Sequence, residues 1–309
     1  RWLTVPLATL QTFSMVALLR SQGVLMVSSA VDIFVIVVVA TAGTIFLMWL
    51  GELITEKGIG NGVSLIIFAG IVSGLPSALS NIYVTFDSTQ FFTYAAILAI
   101  TLVTIAGVVI VSEGQRNIPV SYAKRIRGDR SYGGSSTHLP LRVNQAGVIP
   151  IIFAMSIMLF PGMIASFLMR VNNEFVAGAA TAVNNLFQNQ WFYGTLYFLL
   201  VVAFTYFYTA VVFDPEKISE NLQKQGGYVP GIRPGRNTAD FLYKIMNRIT
   251  LSGSIFLGAV AVLPFIVQGI THIQFLQIGG TGILIVVSVV IETIKQIESQ
   301  LVMRDYEGF

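Results

Sequence analysis

Long apolar stretches separated by polar connections dominate this chain of 309 residues. A hydrocarbon layer about 30 Å thick requires roughly 20 apolar residues in helical form. Eight stretches approach that length, at about 2–19, 31–50, 63–80, 92–111, 146–168, 192–213, 249–268 and 281–298. The run 35–40, Val-Ile-Val-Val-Val-Ala, lacks the alternation expected of a lipid-facing barrel strand. The pattern therefore predicts an all-α membrane protein with eight transmembrane helices.

The composition agrees with a membrane location. Hydrophobic residues make up 54% of the chain and charged residues 11%, whereas soluble domains carry about 25% charged residues. Too few charges are present to cover a compact body of this size with a water-facing surface. The chain contains no cysteine, which excludes disulfides, thiolate metal sites and cysteine nucleophiles.

Positive charge is concentrated in two long connections, 112–145 and 214–248. Together they hold twelve of the 18 Lys and Arg residues. The connections that would lie on the other side of the membrane hold only Arg20 and Arg170. The positive-inside rule therefore predicts that both long loops, and both ends of the segment, are cytoplasmic. Each loop greatly exceeds the 2 to 8 residues or so of an ordinary helix connection. We predict an extended strand at 117–123 and a short helix from Pro215 in these loops.

The predicted spans are nearly free of ionisable side chains. A secondary solute transporter, the main alternative, would need a charged or ion-coordinating site near mid-membrane, and none is evident. A structural membrane scaffold is a third possibility. Uncharged Gln11 and Asn144 admit two interpretations, either ordinary hydrogen bonds between helices or a polar seam between helices that separate. His138 and His272 are predicted on opposite sides of the membrane, so they cannot bind the same metal ion. The sequence contains no grouping of residues that indicates an enzymatic reaction.

Several strings of residues closely resemble the bacterial SecY family in collinear order along the whole chain. They are 46–52 (FLMWLGE), 54–62 (ITEKGIGNG), 66–72 (IIFAGIV), 122–125 (YAKR), 136–144 (STHLPLRVN), 146–150 (AGVIP), 229–235 (VPGIRPG) and 279–281 (GGT). SecY is the channel subunit that passes unfolded polypeptides across the membrane or sideways into it. The resemblance therefore implies a passive channel rather than an enzyme, with no cofactor and no bound metal.

The resemblance implies a ten-helix SecY-like channel with pseudo-symmetric inverted halves, of which this chain would supply spans three to ten. Residues 1–80 would then belong to the N-terminal half and 81–309 to the C-terminal half. Because the chain opens with Arg1 and passes directly into apolar residues, we expect a preceding N-terminal segment of the same protein with two spans and the plug. The expected location is the bacterial plasma membrane.

Site residues follow from the resemblance position by position. The pore ring corresponds to Val63, Ile67, Ile152 and Ile285, with Val63 replacing the isoleucine usual in the family. The lateral gate corresponds to Gln11 and Asn144, with Phe160 beside it. This correspondence favours the second interpretation of Gln11 and Asn144, a polar seam between helices that separate, over ordinary hydrogen bonds between helices.

The resemblance also implies partners. They are SecE, SecG, the motor ATPase SecA, the ribosome, signal peptides, nascent chains and lipid. Energy would come from SecA or from the translating ribosome. Cationic side chains of the loops suit rRNA phosphates and the SecA surface, namely Arg116, Lys124, Arg125, Arg127, Arg130 and Arg233.

Overall fold

The computed structural model describes residues 4–21, 23, 25, 29–85, 91–122, 125–127, 130–132, 136–169, 173–271 and 276–307. Helices dominate this part of the chain: α1 (Thr4–Ser21), α2 (Ala30–Lys57), α3 (Gly62–Thr85), α4 (Phe91–Glu113), α5 (Ile149–Leu168), α6 (Glu174–Gln188), α7 (Gln190–Val212), α8 (Pro215–Lys224), α9 (Arg236–Thr271) and α10 (Leu276–Glu307). The strands are β1 (Gln115–Tyr122), β2 (Arg125–Arg127), β3 (Arg130–Tyr132), β4 (Ser136–Arg142) and β5 (Gly227–Tyr228).

A helix occupies most of each of the eight apolar stretches, as α1 to α5, α7, α9 and α10. Four helical regions of the described chain are long and apolar enough to cross a membrane, namely Ala30–Lys57, Phe91–Glu113, Gln190–Lys224 and Arg236–Gly269. Shorter apolar helical windows occupy Gly62–Ser77 and Ile149–Ala165. The mostly helical architecture is thus confirmed, while the number of crossings stays a prediction.

Two helical segments lie where sequence patterning predicts connections. Helix α6 occupies most of 169–191, because Asn173 caps its first turn and its apolar residues repeat with helical spacing. Helix α9 begins at Arg236 rather than near 249. Its polar first turns remain helical because Leu242, Ile245 and Met246 place a buried face against the neighbouring loop. A 20-residue hydropathy criterion does not recognise such amphipathic extensions.

The chain divides into two compact units. Unit 1 comprises Arg1–Gln90, Ser156–Tyr193 and Val289–Phe309, and unit 2 comprises Phe91–Met155 and Gly194–Ser288. In unit 1, α1 packs along α2, and small or branched side chains such as Ala8 and Val37 are buried. The hydroxyl oxygens of Thr9 and Thr41 lie 3.5 Å apart between these two helices. A polar pair therefore sits within an otherwise apolar helix contact.

Unit 2 combines apolar helices with a small three-stranded sheet of order β4-β1-β5. Strand β1 pairs antiparallel with β4 from Gln115↔Arg142 to Ser121↔Ser136. The extended strand predicted at 117–123 is thus confirmed over 117–122, and Ala123 lies outside the described residues. Helix α8 spans Pro215–Lys224, close to the short helix predicted from Pro215. Gly133 and Gly134, a pair of glycines typical of a chain reversal, lie outside the described residues.

Candidate functional site

The turn between α2 and α3 fixes the start of the helix that carries two predicted ring residues. The Asn61 side-chain oxygen accepts hydrogen bonds from the amides of Val63 and Ser64, at 3.1 and 3.2 Å. Gly60 has φ +93°, a backbone conformation that glycine adopts without steric cost. The segment Gly58 to Gly62 is therefore a turn that caps the start of α3.

Glycine brings the backbones of α2 and α3 together beside this turn. A Cβ atom added to Gly62 would overlap the carbonyl oxygen of Gly51 and lie 2.8 Å from Cβ of Ile54. Thr55 reinforces the contact, since its hydroxyl donates to the Gly51 carbonyl and accepts from the Gly62 amide, both at 2.8 Å. Val63 follows directly and packs its side chain against Gly51. The position of Val63 is thus set by backbone contact rather than by adaptable side chains.

The four predicted ring residues occupy different environments in the two units. In unit 1, Val63 and Ile67 are four residues apart on α3 and share one face; Val63 is 46% exposed and Ile67 is half-buried. In unit 2, Ile152 is half-buried in the first turn of α5, whereas Ile285 is 5% exposed within α10. Whether the four form a common ring stays a prediction.

The predicted gate residues are also distributed over the two units. Gln11 is exposed on α1 and Phe160 is half-buried on α5, both in unit 1. Asn144 lies in unit 2, in the turn before α5 rather than inside the helix. Its amide nitrogen donates to the carbonyl of Gly147 at 3.2 Å.

Unsatisfied polar atoms lie in this turn. The side-chain oxygens of Asn144 and its neighbour Gln145 are buried, with no hydrogen-bond partner within the described part of the chain. Buried polar atoms without partners carry a desolvation cost of about 1 to 3 kcal/mol. The turn therefore contains acceptors that another hydrogen-bond donor would stabilise.

The two basic connections form one structured body. Strand β5, from the second connection, pairs with β1, from the first, through Ser121↔Tyr228 and Tyr122↔Gly227. The pattern of residues in the two loops gives no sign of this pairing, because β5 is only two residues long.

A compact apolar core lies beneath this sheet. Its buried members come from β1, β4, the residue after α7, the residue after β5, and α9: Ile118, Leu141, Phe213, Val229, Leu242, Ile245, Met246 and Ile249. Helix α8 packs against α9 and contributes half-buried Ile218. A core of this size joins β1, β4, β5 and α9 into one packed body, so the backbone at Arg116 and around Arg233 has a defined shape.

Arg233 is displayed on a rigid turn of this body. Two flanking glycines, Gly231 and Gly235, have φ of +83° and +95°. The buried hydroxyl of Thr238 donates to the Arg233 carbonyl at 3.0 Å, and that of Ser219 donates to the Gly235 carbonyl at 2.7 Å. The Arg233 residue itself is exposed. Its backbone is therefore fastened while its guanidinium remains available to a partner.

The surface of this body carries both free and paired charge. Exposed cations that sequence analysis singles out include Arg116 and Arg233. Lys217 pairs with Asp214 at 3.0 Å and Lys224 pairs with Glu220 at 2.8 Å. The paired lysines offer less net charge to an anionic partner than their number suggests.

Three of the remaining predicted cations lie in a short pair of strands within the first loop. Strands β2 and β3 pair there as Arg125↔Tyr132 and Arg127↔Arg130, so these three arginines belong to a hairpin. Lys124 lies outside the described residues. No cluster of three or more metal-binding side chains occurs in the described ranges.

The hydroxyl groups that hold these turns, those of Thr55, Ser219 and Thr238, are not distinguished by the sequence pattern. Serine and threonine are common in helices, and nothing in their spacing marks a long-range bond. Ser219 and Gly235 are 16 residues apart, a separation that only the packing of α8 on α9 brings together.

The comparisons with known proteins extend over nearly the whole chain. A SecY family model matches residues 1–294. The chain is 45% identical over 314 residues to the protein translocase subunit SecY of Thermotoga maritima, covering 100% of this chain and 70% of that protein. It is 47% identical over 332 residues to the Mycobacterium leprae SecY, covering 100% and 73%.

Solved structures give the same picture of the fold. A SecY channel studied for its plug domain and closed state matches with a TM-score of 0.64 at 20% identity, covering 95% of this chain and 72% of that one. The canine Sec61 from a ribosome-channel complex matches with a TM-score of 0.60 at 19% identity, covering 95% and 71%. With its family model, its relatives and its fold in agreement, this chain belongs to the SecY family of protein translocase subunits.

Proposed function

We propose that this chain is the protein-conducting subunit of a translocation channel, which passes unfolded secretory polypeptides across the membrane and releases apolar segments sideways into lipid. The observation that carries the proposal is the SecY match over 1–294. The channel subunit is not an enzyme. The alternative of a secondary solute transporter has no support from the relatives, which are named protein translocase subunits.

In this proposal the eight long helices all cross the membrane, as spans three to ten of a ten-helix channel with inverted, pseudo-symmetric halves. Residues 1–80 belong to the first half and 81–309 to the second. The apolar character of α2, α4, α7 and α9 supports multiple crossings. The concentration of cations in 112–145 and 214–248 supports a cytoplasmic position for both loops, in the plasma membrane of a bacterium.

Val63, Ile67, Ile152 and Ile285 are proposed to form the pore constriction. Aliphatic side chains bind neither ions nor a particular peptide sequence, and an apolar constriction blocks ion flow by dewetting when it is empty. The capped turn and the close glycine contact at the start of α3 support this role, because they hold Val63 and Ile67 in fixed positions. Such a collar combines a seal with tolerance of any sequence.

Gln11, Asn144 and Phe160 are proposed to line the lateral gate. Uncharged polar contacts between membrane helices are weak, at about 0.6 to 2 kcal/mol each, so a gate that uses them opens at little cost. The unpaired buried oxygen of Asn144 supports the proposal, since a side chain that is poorly satisfied in one arrangement loses little when that arrangement changes. Signal peptides and apolar segments leave through the gate because lipid favours them.

The structured basic body is proposed to dock the ribosome or the SecA motor, which supply the energy for translocation, while SecE and SecG complete the membrane complex. A Sec61 homologue solved within a ribosome-channel complex supports the ribosome as a partner. Arg116, the hairpin arginines Arg125, Arg127 and Arg130, and Lys124 of the same loop suit rRNA phosphates, with salt-sensitive affinity. Arg233, fixed by Thr238, suits the motor.

A photocrosslinking experiment tests the pore assignment. A photoreactive amino acid is placed at Ile67, Ile152 or Ile285 of the full-length protein, and a radiolabelled secretory chain is stalled during export. We expect the stalled chain to label all three positions. Val103, 73% exposed on α4, is the matched control and should react with lipid only. If the three ring positions react with lipid as Val103 does, the pore assignment is wrong.

A further inference from the structure

Helix α6 carries an apolar strip that the protein leaves uncovered. Phe175, Ala179, Val183 and Leu186 follow one another at intervals of four, four and three residues, and therefore share one side of the helix. All four are exposed; the exposed fractions of Phe175, Val183 and Leu186 are 85%, 37% and 50%. Such a continuous strip indicates contact with something other than water.

Each of these residues is followed by one that packs into unit 1. Val176, Ala180, Asn184 and Phe187 are half-buried or buried, with Ala180 only 3% exposed. The opposite side, with Thr181, Asn185 and Gln188, is polar and exposed. Helix α6 therefore has one side packed against unit 1, one polar side exposed to water and one apolar strip that is exposed.

The chain connects this strip directly to α7, which is long and apolar enough to cross a membrane. Asn189 alone separates α6 from α7, and it serves both helices. The backbone amide of Asn189 donates to the backbone carbonyl of Asn185 at 3.2 Å. Its side-chain oxygen accepts a hydrogen bond from the backbone amide of Trp191 at 3.0 Å. Across the same junction, the rings of Phe187 and Phe192 meet edge to face at 5.7 Å. The end of α6 is thus fixed at the entry of α7 into the membrane.

We propose that α6 is an interfacial helix that lies at the membrane surface with its strip of Phe175, Ala179, Val183 and Leu186 inserted into the lipid. With 15 residues it spans about 22 Å, too short to cross a 30 Å hydrocarbon layer. An apolar strip beside a polar one is typical of helices that lie in the interface. Trp191, 77% exposed at the start of α7, sits where tryptophan prefers the headgroup level.

The insertion does not depend on anionic lipid. Glu174 is the one ionisable residue of α6, and the helix contains no Lys or Arg. Interfacial helices that select anionic lipids carry cations on their polar face. Apolar burial is therefore the source of the attraction, and neutral lipid is sufficient.

Spin labelling tests this proposal, because the cysteine-free chain accepts single cysteines without background. Phe175→Cys and Leu186→Cys report on the strip, and Thr181→Cys and Asn185→Cys are the matched controls on the polar side. Each full-length variant carries a nitroxide and is reconstituted in phosphatidylcholine vesicles with or without phosphatidylglycerol. Collisions with oxygen, which concentrates in lipid, are compared with collisions with a water-soluble nickel complex. Val183→Cys replaces either strip variant that fails to fold.

We expect an oxygen-to-nickel collision ratio several-fold higher at the strip positions than at the controls, in both kinds of vesicle. Equally low ratios at all positions would place the strip in water, and equally high ratios would mean that the helix has no water-facing side; either result overturns the proposal. Low collision with both reagents at the strip would mean that another protein covers it, which also overturns the proposal. A high ratio only with phosphatidylglycerol would refute the independence from lipid charge. The pore assignment is unaffected by each of these results.

Discussion

Replacing Gly62 by alanine tests whether backbone contact between α2 and α3 positions the proposed pore residues. The new Cβ would overlap the Gly51 carbonyl oxygen and lie 2.8 Å from Cβ of Ile54. These neighbours are backbone and Cβ atoms, which cannot rotate away, so the two helices have to separate. Overpacking of a closed contact typically costs 1 to 3 kcal/mol, and we expect about 3 kcal/mol here. The bridging hydroxyl of Thr55 would also lose its geometry.

Gly70→Ala is the matched control, since it makes the same chemical change on the same helix. A Cβ at Gly70 meets no atom within 4 Å, and alanine is favoured over glycine in a helix by about 1 kcal/mol. The two variants are therefore expected to shift stability in opposite directions.

Thermal unfolding of the purified protein in detergent measures this difference. Gly62→Ala should lower the apparent Tm by several degrees, whereas Gly70→Ala should leave it unchanged or raise it. Because Val63 follows Gly62, the first variant should also lower crosslinking of a stalled chain to Ile67. If Gly62→Ala is as stable as Gly70→Ala, the close approach of the two helices is absent and the reasoning fails.

Two further predictions concern the basic body. Leu141→Ala removes a side chain that is 1% exposed and should destabilise this body by about 3 kcal/mol, measured as faster protease cleavage of the loops. The control Val103→Ala, at an exposed site, should not change the cleavage rate. If the two variants are cleaved equally fast, Leu141 does not stabilise a core beneath the sheet. Thr238→Val removes the hydroxyl that holds the Arg233 carbonyl and should weaken SecA binding several-fold at unchanged protein abundance. Combined with Arg233→Ala it should weaken binding no further, so additive losses would contradict a positioning role for Thr238.

Local patterning accounts for much of the fold because membrane helices satisfy their own backbone groups. The helix over 30–57 requires little more than its apolar run, and the strand at 115–122 follows from its alternating residues. The cap at Asn61 is likewise a local feature. Each of these elements depends on interactions between residues close together in the chain.

Other features depend on residues that are far apart in the chain. The predicted ring and gate residues come from family resemblance, since aliphatic side chains fill every span and none is distinctive. Helix α6 does not meet a hydropathy criterion because it has a side packed against the protein, an exposed polar side and an exposed apolar strip.

The sequence by itself determined the membrane location, the helical class and the basic loops, because hydrophobicity, helical period and charge are properties of short segments. The tertiary structure alone decided that the two basic loops share one sheet and core, that Ser219 and Thr238 fasten the turn of Arg233, and that glycines let α2 touch α3. These features require contacts between distant segments, and such contacts exist only once the chain has packed.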